Sequence, residues 1–197
     1  MKTIIIKEQE WMVENLNVDT FRNGEAIPEA KSDAEWRNAW KEKKPAWCHY
    51  DNDPSNGEKY GKLYNWYAVN DSRGLTPEGW HVPSEEEWKA LCKGAPGPTK
   101  QAGKSLRSEN GWIHSSDYKP GSNESGFSAK GTGCRIFAGG FSEIGCTGSW
   151  WSTTEDEEYA ERGYPNVISW WMFYWRYKVE TKSEFKSNGY AVRCLKN

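Results

Sequence analysis

The sequence predicts an α+β fold, with helices in the first half and β hairpins in the second. Three observations carry this expectation. Ser32-x-x-Glu35 and Ser84-x-x-Glu87 both have capping-box spacing, in which a serine and a glutamate three residues on satisfy each other's backbone N–H groups at a helix start. From Gly111 onward glycine, serine and short apolar segments alternate, the pattern of hairpins joined by loops. The run Trp170-Trp171-Met172-Phe173-Tyr174-Trp175 is aromatic and apolar throughout and has strand character. With 197 residues, no linker and no fixed-period repeat, the chain reads as a single domain over 1–197.

The elements follow in order. Residues 3–6 are β-branched and predict a short strand. The pattern of Trp11–Asn17 does not discriminate helix from strand, and residues 19–30 read as loop. The first capping box opens a helix through about Lys43, ended by Pro45, with Trp36 and Trp40 on one face. Residues 51–59 are turn material, and their acidic residues miss the spacing of an EF-hand calcium loop. Lys62–Asn70 reads as a helix with Leu63, Trp66, Tyr67 and Val69 on its apolar face. Residues 77–83 give a turn and a short extended stretch. The second capping box starts a helix over Glu85–Lys93, with Gly94 as its stop. A loop at Pro96, Gly97 and Pro98 leads to a helix near 99–108. Candidate strands are 126–129, 133–138, 149–154, 167–175, 176–182 and 189–195.

Composition narrows the function classes. The chain is polar on average (mean hydropathy -0.95) yet holds 13 Trp and 10 Tyr. A core of large rings with few aliphatics is expected, and disorder is not. The net charge of -2, from 26 basic and 28 acidic residues with no long run of one sign, argues against nucleic-acid partners. No segment is long enough to insert in a membrane. The five cysteines, at 48, 92, 134, 146 and 194, allow at most two internal pairs, and the pairing stays open. The absence of CxxC and the wide spacing of His49, His81 and His114 argue against structural zinc. The apolar run at Ile4–Ile6 is too short for a signal peptide. Retention where the protein is made, export by a route such as phage assembly, and loss of a leader all stay open.

If 170–175 is a strand, Trp170, Met172 and Tyr174 share one face and Trp171, Phe173 and Trp175 the other. A one-sided core buries one row. The other must find a second layer, a partner or water. It is expected to be partly exposed and available for recognition, the alternative being that it covers a neighbouring loop. Aromatics dominate binding hot spots and stack on sugar faces. Trp66, Trp80, Trp88, Trp150 and Trp151 are expected in the core, each with an indole N–H to satisfy. Glu155-Asp156-Glu157-Glu158 reads as a solvated loop that can repel anions. A calcium ion there is the one cofactor the sequence suggests, and otherwise none is expected. His81 is expected to be hydrogen-bonded and structural. Cys48 and His49, adjacent on an extended stretch, point to opposite faces and do not form a nucleophilic pair.

Several blocks, in order along the chain, carry a family resemblance. They are Trp11-Met12-Val13-Glu14-Asn15-Leu16-Asn17, Gly61-Lys62-Leu63-Tyr64-Asn65-Trp66-Tyr67-Ala68-Val69, and Pro77-Glu78-Gly79-Trp80-His81-Val82-Pro83-Ser84-x-x-Glu87-Trp88. Ala102–Leu106, Gly126–Ala129, Gly148–Thr154 and the closing Gly189-Tyr190-Ala191-Val192-Arg193-Cys194 continue them. Together they resemble the Fibrobacter succinogenes major paralogous domain family. The resemblance implies a C-type-lectin-like fold related to formylglycine-generating enzymes, with early helices, a small twisted, mainly antiparallel sheet and long irregular loops. In diversity-generating-retroelement variable proteins of this fold, a segment before the last strand displays the ligand-binding residues. The matching segment here is roughly 159–188, so the candidate ligand-binding set is Tyr159, Arg162, Tyr164, Trp170, Trp171, Phe173, Trp175, Tyr177 and Glu180, with Arg176 on the polar rim. Family members often carry cysteine where this chain has Thr76, so a disulfide using that position is absent. They are also often secreted lipoproteins, whereas no leader is visible here.

The expected function is therefore non-enzymatic binding of a protein or glycan through a C-terminal aromatic surface, in the manner of a variable receptor-binding protein on a phage or a cell surface. Trp171→Ala or Trp175→Ala should then impair binding with little loss of fold. One alternative is an assembly module with the aromatic patch as subunit interface, and the oligomeric state is left open. The other is a degenerate relative of the formylglycine generators, but Cys134, Cys146 and Cys194 form no short-spaced redox pair. No phosphate loop, serine elbow or HExxH is present.

Overall fold

The computed structural model describes residues 1–164 and 166–197. A hairpin of β1 (Thr3–Ile6) and β2 (Gln9–Met12) opens the chain, with Ile4 opposite Trp11. Helix α1 (Asp33–Lys41) starts at the expected capping box, where the Ser32 N–H donates to Glu35 Oε2 at 2.8 Å. Strands β3 (Trp47–Cys48) and β4 (Leu63–Tyr64) pair around α2 (Pro54–Tyr60), and α3 (Trp66–Val69) follows. Strand β5 (Trp80–His81) precedes α4 (Glu85–Gly94), whose capping box joins the Ser84 N–H to Glu87 Oε2 at 2.7 Å. A 3-10 turn at Thr99–Gln101 runs into α5 (Ala102–Leu106). The second half holds β6 (Thr132–Arg135), β7 (Phe141–Ile144), β8 (Thr147–Glu155), α6 (Glu157–Glu161), β9 (Asn166–Phe173), β10 (Arg176–Phe185) and β11 (Leu195–Lys196). The α+β class is as expected.

The main sheet has the order β10-β9-β8-β6-β7 and is antiparallel except between β6 and β8. A smaller sheet, β1-β2-β11-β5, ties both chain ends together. Strands β8 and β9 lie inside the main sheet and have a packed layer on each face. Residue parity decides the layer, because alternate side chains point to opposite faces. Trp150, Trp170 and Met172 join Trp11, Trp88, Leu91 and Phe127 in one cluster. Trp151, Trp171 and Phe173 join Tyr64, Trp66, Tyr190 and Val192 in the other. Trp88 of α4 stacks on Trp170 with centroids 5.8 Å apart and planes 14° apart.

This double layer corrects the expectation of one exposed aromatic row. Trp170 and Trp171 are each 5% exposed and Phe173 is 3% exposed. The one-sided core assumed for the sequence is wrong because β9 is a central strand, and central strands carry continuous apolar runs. Three of the proposed ligand-binding residues are therefore core. The indoles of Trp66, Trp150 and Trp151 donate to Ser152 O, Asn15 Oδ1 and Tyr64 O. The N–H groups of Trp88 and Trp170 are buried without a partner among the described residues.

Other local differences have identifiable causes. Residues 54–60 form a helix where turn was expected. Asp53 accepts from the Ser55 N–H at 2.9 Å as N-cap, and Pro54 takes the first helical position, where a missing N–H costs nothing. Residues 157–161 form α6, not a solvated loop, with Asp156 as N-cap. In the 62–70 stretch only Trp66–Val69 is helical, because Leu63 and Tyr64 pair with β3. Strand β7 was not expected. Residues 126–129 are not a strand, and Gly126 and Ser128 have positive φ of 74° and 57°. Within 189–195, Tyr190 and Ala191 make isolated bridges to Tyr64 and Trp150.

Candidate functional site

The candidate ligand-binding residues separate into three places. Trp170, Trp171 and Phe173 are core. Tyr159, Arg162 and Tyr164 lie on and just after α6, at the start of β9. Trp175 and Tyr177 lie at its other end, around the hairpin tip, and Glu180 lies on β10 opposite Trp171. Strand β9 has 8 residues, and at roughly 3.3 Å per residue its ends are about 25 Å apart. The 159–188 segment therefore does not form one surface. Pro165, within it, lies outside the described residues.

The hairpin tip between β9 and β10 is where aromatic side chains gather around open space. Tyr174 and Trp175 are the two turn residues. Tyr174 packs against the cluster that holds Trp170, and Trp175 against the cluster that holds Trp171. Their rings stay in contact at 5.1 Å and 83°. Tyr118, from the 112–120 loop, meets Tyr174 edge-on at 5.5 Å. A groove of about 230 Å³ is walled by these three rings and Tyr177, with Asp117, Lys119 and Arg176 at its margins. A smaller recess of about 50 Å³ adjoins it through Tyr118, Lys119 and Tyr174, and reaches Trp112 and Arg107. Sequence reasoning missed Asp117, Tyr118 and Lys119, because a lone tyrosine in a Gly/Ser-rich loop carries no periodic signal. The turn at Tyr174-Trp175 was also missed, because the unbroken aromatic run placed both residues inside a strand expected to end at 175.

Buried Arg107 holds the groove walls. Its Nη1 donates to the carbonyls of Phe173 at 2.7 Å and Tyr174 at 2.8 Å, and its Nη2 to that of Lys119 at 3.4 Å. Three carbonyls from the hairpin tip and the loop thus converge on one guanidinium, whose planar fork suits this. Its ring-facing contacts are Tyr177 at 5.1 Å and Trp112 at 5.4 Å. Burial lowers the guanidinium pKa, against the weak opposing pull of Tyr177. Helix α5 approaches β10 closely at Gly103, where an added Cβ would stand 2.6 Å from Tyr177 O. Arg176 lies over Phe173 at 4.0 Å and Trp175 at 5.8 Å, and pairs with Glu180 at 2.9 Å. Lys182 covers Trp171 at 3.8 Å. These two cations roof the row of Trp171, Phe173 and Trp175.

Other residues singled out in the sequence have structural partners. His81 is hydrogen-bonded to Glu87 at 2.9 Å and Asn197 at 2.8 Å. The Thr76 hydroxyl donates to Trp80 O at 2.6 Å and accepts from Arg22 at 3.2 Å, so Thr76 is a hydrogen-bonded pin. All five cysteines are free thiols. Burial pushes Cys48, Cys92, Cys134 and Cys194 up to about 12. In the acidic segment Glu155 pairs with Lys186, Asp156 caps α6 and Glu158 pairs with Arg162. Among the described residues no group of three or more His, Cys, Asp or Glu is arranged to hold a metal ion. No helix among them is long and apolar enough to cross a membrane.

The closing Gly189–Cys194 block has a clear structural use. Arg193 is buried and donates to Asn15 Oδ1 and to the carbonyls of Met12, Val13 and Phe127, locking the C-terminus onto the Trp11–Asn17 block. Burial lowers its pKa to about 9. The motif blocks thus meet in space. No curated protein and no solved structure matches the chain. The Fibrobacter succinogenes major domain matches residues 4–196, nearly the whole sequence, and the chain belongs to that family.

Proposed function

We propose that the chain is a non-enzymatic ligand-binding protein whose contact surface is the groove at the β9–β10 hairpin tip. The observation that carries this reading is the convergence of Tyr118, Tyr174, Trp175 and Tyr177 around about 230 Å³ of open space, held from beneath by buried Arg107. Rigid rings supply contact area at low entropy cost, and Asp117, Lys119 and Arg176 supply polar selection at the margin. Such a combination suits a pyranose ring, stacked on an aromatic face and hydrogen-bonded at its edge, or an aromatic side chain of a protein. The high pKa of four buried thiols supports the non-enzymatic part, since the nucleophilic form of cysteine is the thiolate.

A diversified receptor-binding protein on a C-type-lectin-like scaffold is the narrower form of the same reading. Burial limits the positions free to vary without loss of fold to the hairpin tip, the exposed face of β10 and the α6 region. The test is a glycan array and an aromatic-peptide panel, run with the wild-type chain, Tyr118→Ala and Trp175→Ala. A ligand retained by the wild type and lost by both variants, each still folded, supports the groove. A ligand bound equally by all three proteins places binding elsewhere.

A further inference from the structure

A second aromatic surface lies at the opposite end of the main sheet. Trp40, Phe137 and Phe185 are between 40% and 48% exposed, although each comes from a different element. They form a ladder, with Trp40–Phe137 centroids 6.1 Å apart and Phe137–Phe185 centroids 6.0 Å apart, both edge-on. Ile136 extends it. Large rings left in mutual contact and in water mark an interaction surface, since singly scattered apolar residues would not align.

The charges at the two ends of this ladder are opposite. At the Trp40 end, α1 and the residues just after it carry Arg37, Lys41 and Lys43. None of them has a carboxylate within ion-pair distance among the described residues, whereas Asp33 faces Arg135 and Glu42 faces Lys44. At the Phe185 end the next residue, Lys186, is paired at 2.8 Å with Glu155, where the acidic segment leading into α6 begins. There Glu157 and Glu161 lack a cationic partner among the described residues, and exposed Tyr159 and Tyr164 sit beside them. An apolar centre with a basic patch at one end and an acidic patch at the other is complementary to itself after a two-fold rotation. Such a patch meets its own copy with α1 against α6 at both ends and ladder against ladder in the middle. Unlike charges at the rim fix register, and aromatic residues at the centre supply most of the energy.

We infer that this face is an isologous homodimer interface, with a second copy of this chain as its occupant. It lies at the far end of β9 from the hairpin-tip groove, so a dimer formed this way leaves both grooves open and directed outward. The inference stands independently of what the groove binds.

The test is sedimentation velocity over a concentration series, with near-UV circular dichroism to verify that each variant is folded. The wild type should convert from monomer to dimer as concentration rises, and added salt should weaken the dimer. Phe137→Glu should remain monomeric. Arg37→Glu with Lys41→Glu should shift the midpoint at least tenfold toward monomer. Adding Glu157→Lys and Glu161→Lys to that pair should restore dimerisation, because the charge pattern is then reversed but still complementary. A wild type that stays monomeric at every accessible concentration overturns the inference. So does a dimer that Phe137→Glu leaves intact, or a reversed-charge quadruple variant no better than the double one.

Discussion

The Arg107 guanidinium donates to the Tyr174 carbonyl oxygen at 2.8 Å from a fully buried position, across 67 residues of sequence. This bond makes the hairpin tip part of the rigid scaffold. The same guanidinium holds Phe173 O and Lys119 O, so the two walls of the groove share one anchor. Replacing Arg107 with methionine would leave buried carbonyl oxygens without donors and should cost roughly 3 kcal/mol of stability. Backbone amide exchange should rise most at 117–120 and 174–177. Arg107→Lys, which lacks the fork, should recover only part of the protection. Uniform exchange in Arg107→Met, with no local change at the tip, would contradict the anchoring role.

Trp170 and Trp171 should behave differently from Trp175 when truncated. Trp170→Ala and Trp171→Ala each empty a large volume in a buried layer and should lower stability by about 3–5 kcal/mol. Trp175 is only partly buried, and Trp175→Ala should cost about 1 kcal/mol. Denaturant unfolding of the three variants checks this ordering. A Trp171→Ala variant as stable as Trp175→Ala would mean that the roof of Lys182 over Trp171 opens easily in solution.

The contrast between these tryptophans shows what the sequence could and could not convey. The period-2 split of the aromatic run is legible, and the structure keeps it: Trp170 and Met172 go to one layer, Trp171 and Phe173 to the other. Whether each face has a cover depends on partners such as Trp88 and Tyr190, and their proximity is a tertiary fact. Both capping boxes were legible because the signal is complete within four residues. Helices α2 and α6 were equally local, with Asp53-Pro54 and Asp156 as caps, but polar composition resembling a turn masked them. The groove needs Tyr118 and Tyr174, 56 positions apart in a chain with no periodicity to link them, so nothing local announces it.

Glu184 gives the fold a pH dependence with a defined sign. Burial raises its carboxyl pKa above the ordinary 4.5, against the opposing pull of Tyr190, Lys182 and Asn188. The folded state therefore favours the neutral acid more than the unfolded chain does. Its stabilising contribution is full below the unfolded value and is lost as pH rises through the folded one. Glu184→Gln, neutral at every pH and still able to accept from Asn188, should be more stable than the wild type at neutral pH, with the gap closing in acid. Thermal melts across that range measure it. A Glu184→Gln protein that is less stable at neutral pH would show that the ionised carboxylate is the favoured folded form.

Thiol reactivity should separate the cysteines. Cys146 is partly exposed, while Cys48, Cys92, Cys134 and Cys194 are buried with thiols pushed up to about 12. A thiol-specific reagent at neutral pH should label Cys146 first and reach the other four only at the rate of unfolding. Fast labelling of two or more cysteines in the folded chain would show that one of these sites opens locally.

The most direct test of the groove is a two-dimensional NMR titration that follows the tryptophan indole N–H resonances, using the saccharide or aromatic peptide selected by the panels. Binding at the hairpin tip should move the Trp175 indole signal and the amides of 117–119 and 174–177, while the indoles of Trp88, Trp150 and Trp151 stay in place. Saturable shifts centred on Trp40 and Phe137, or spread over α4, with Trp175 unmoved, would contradict the account.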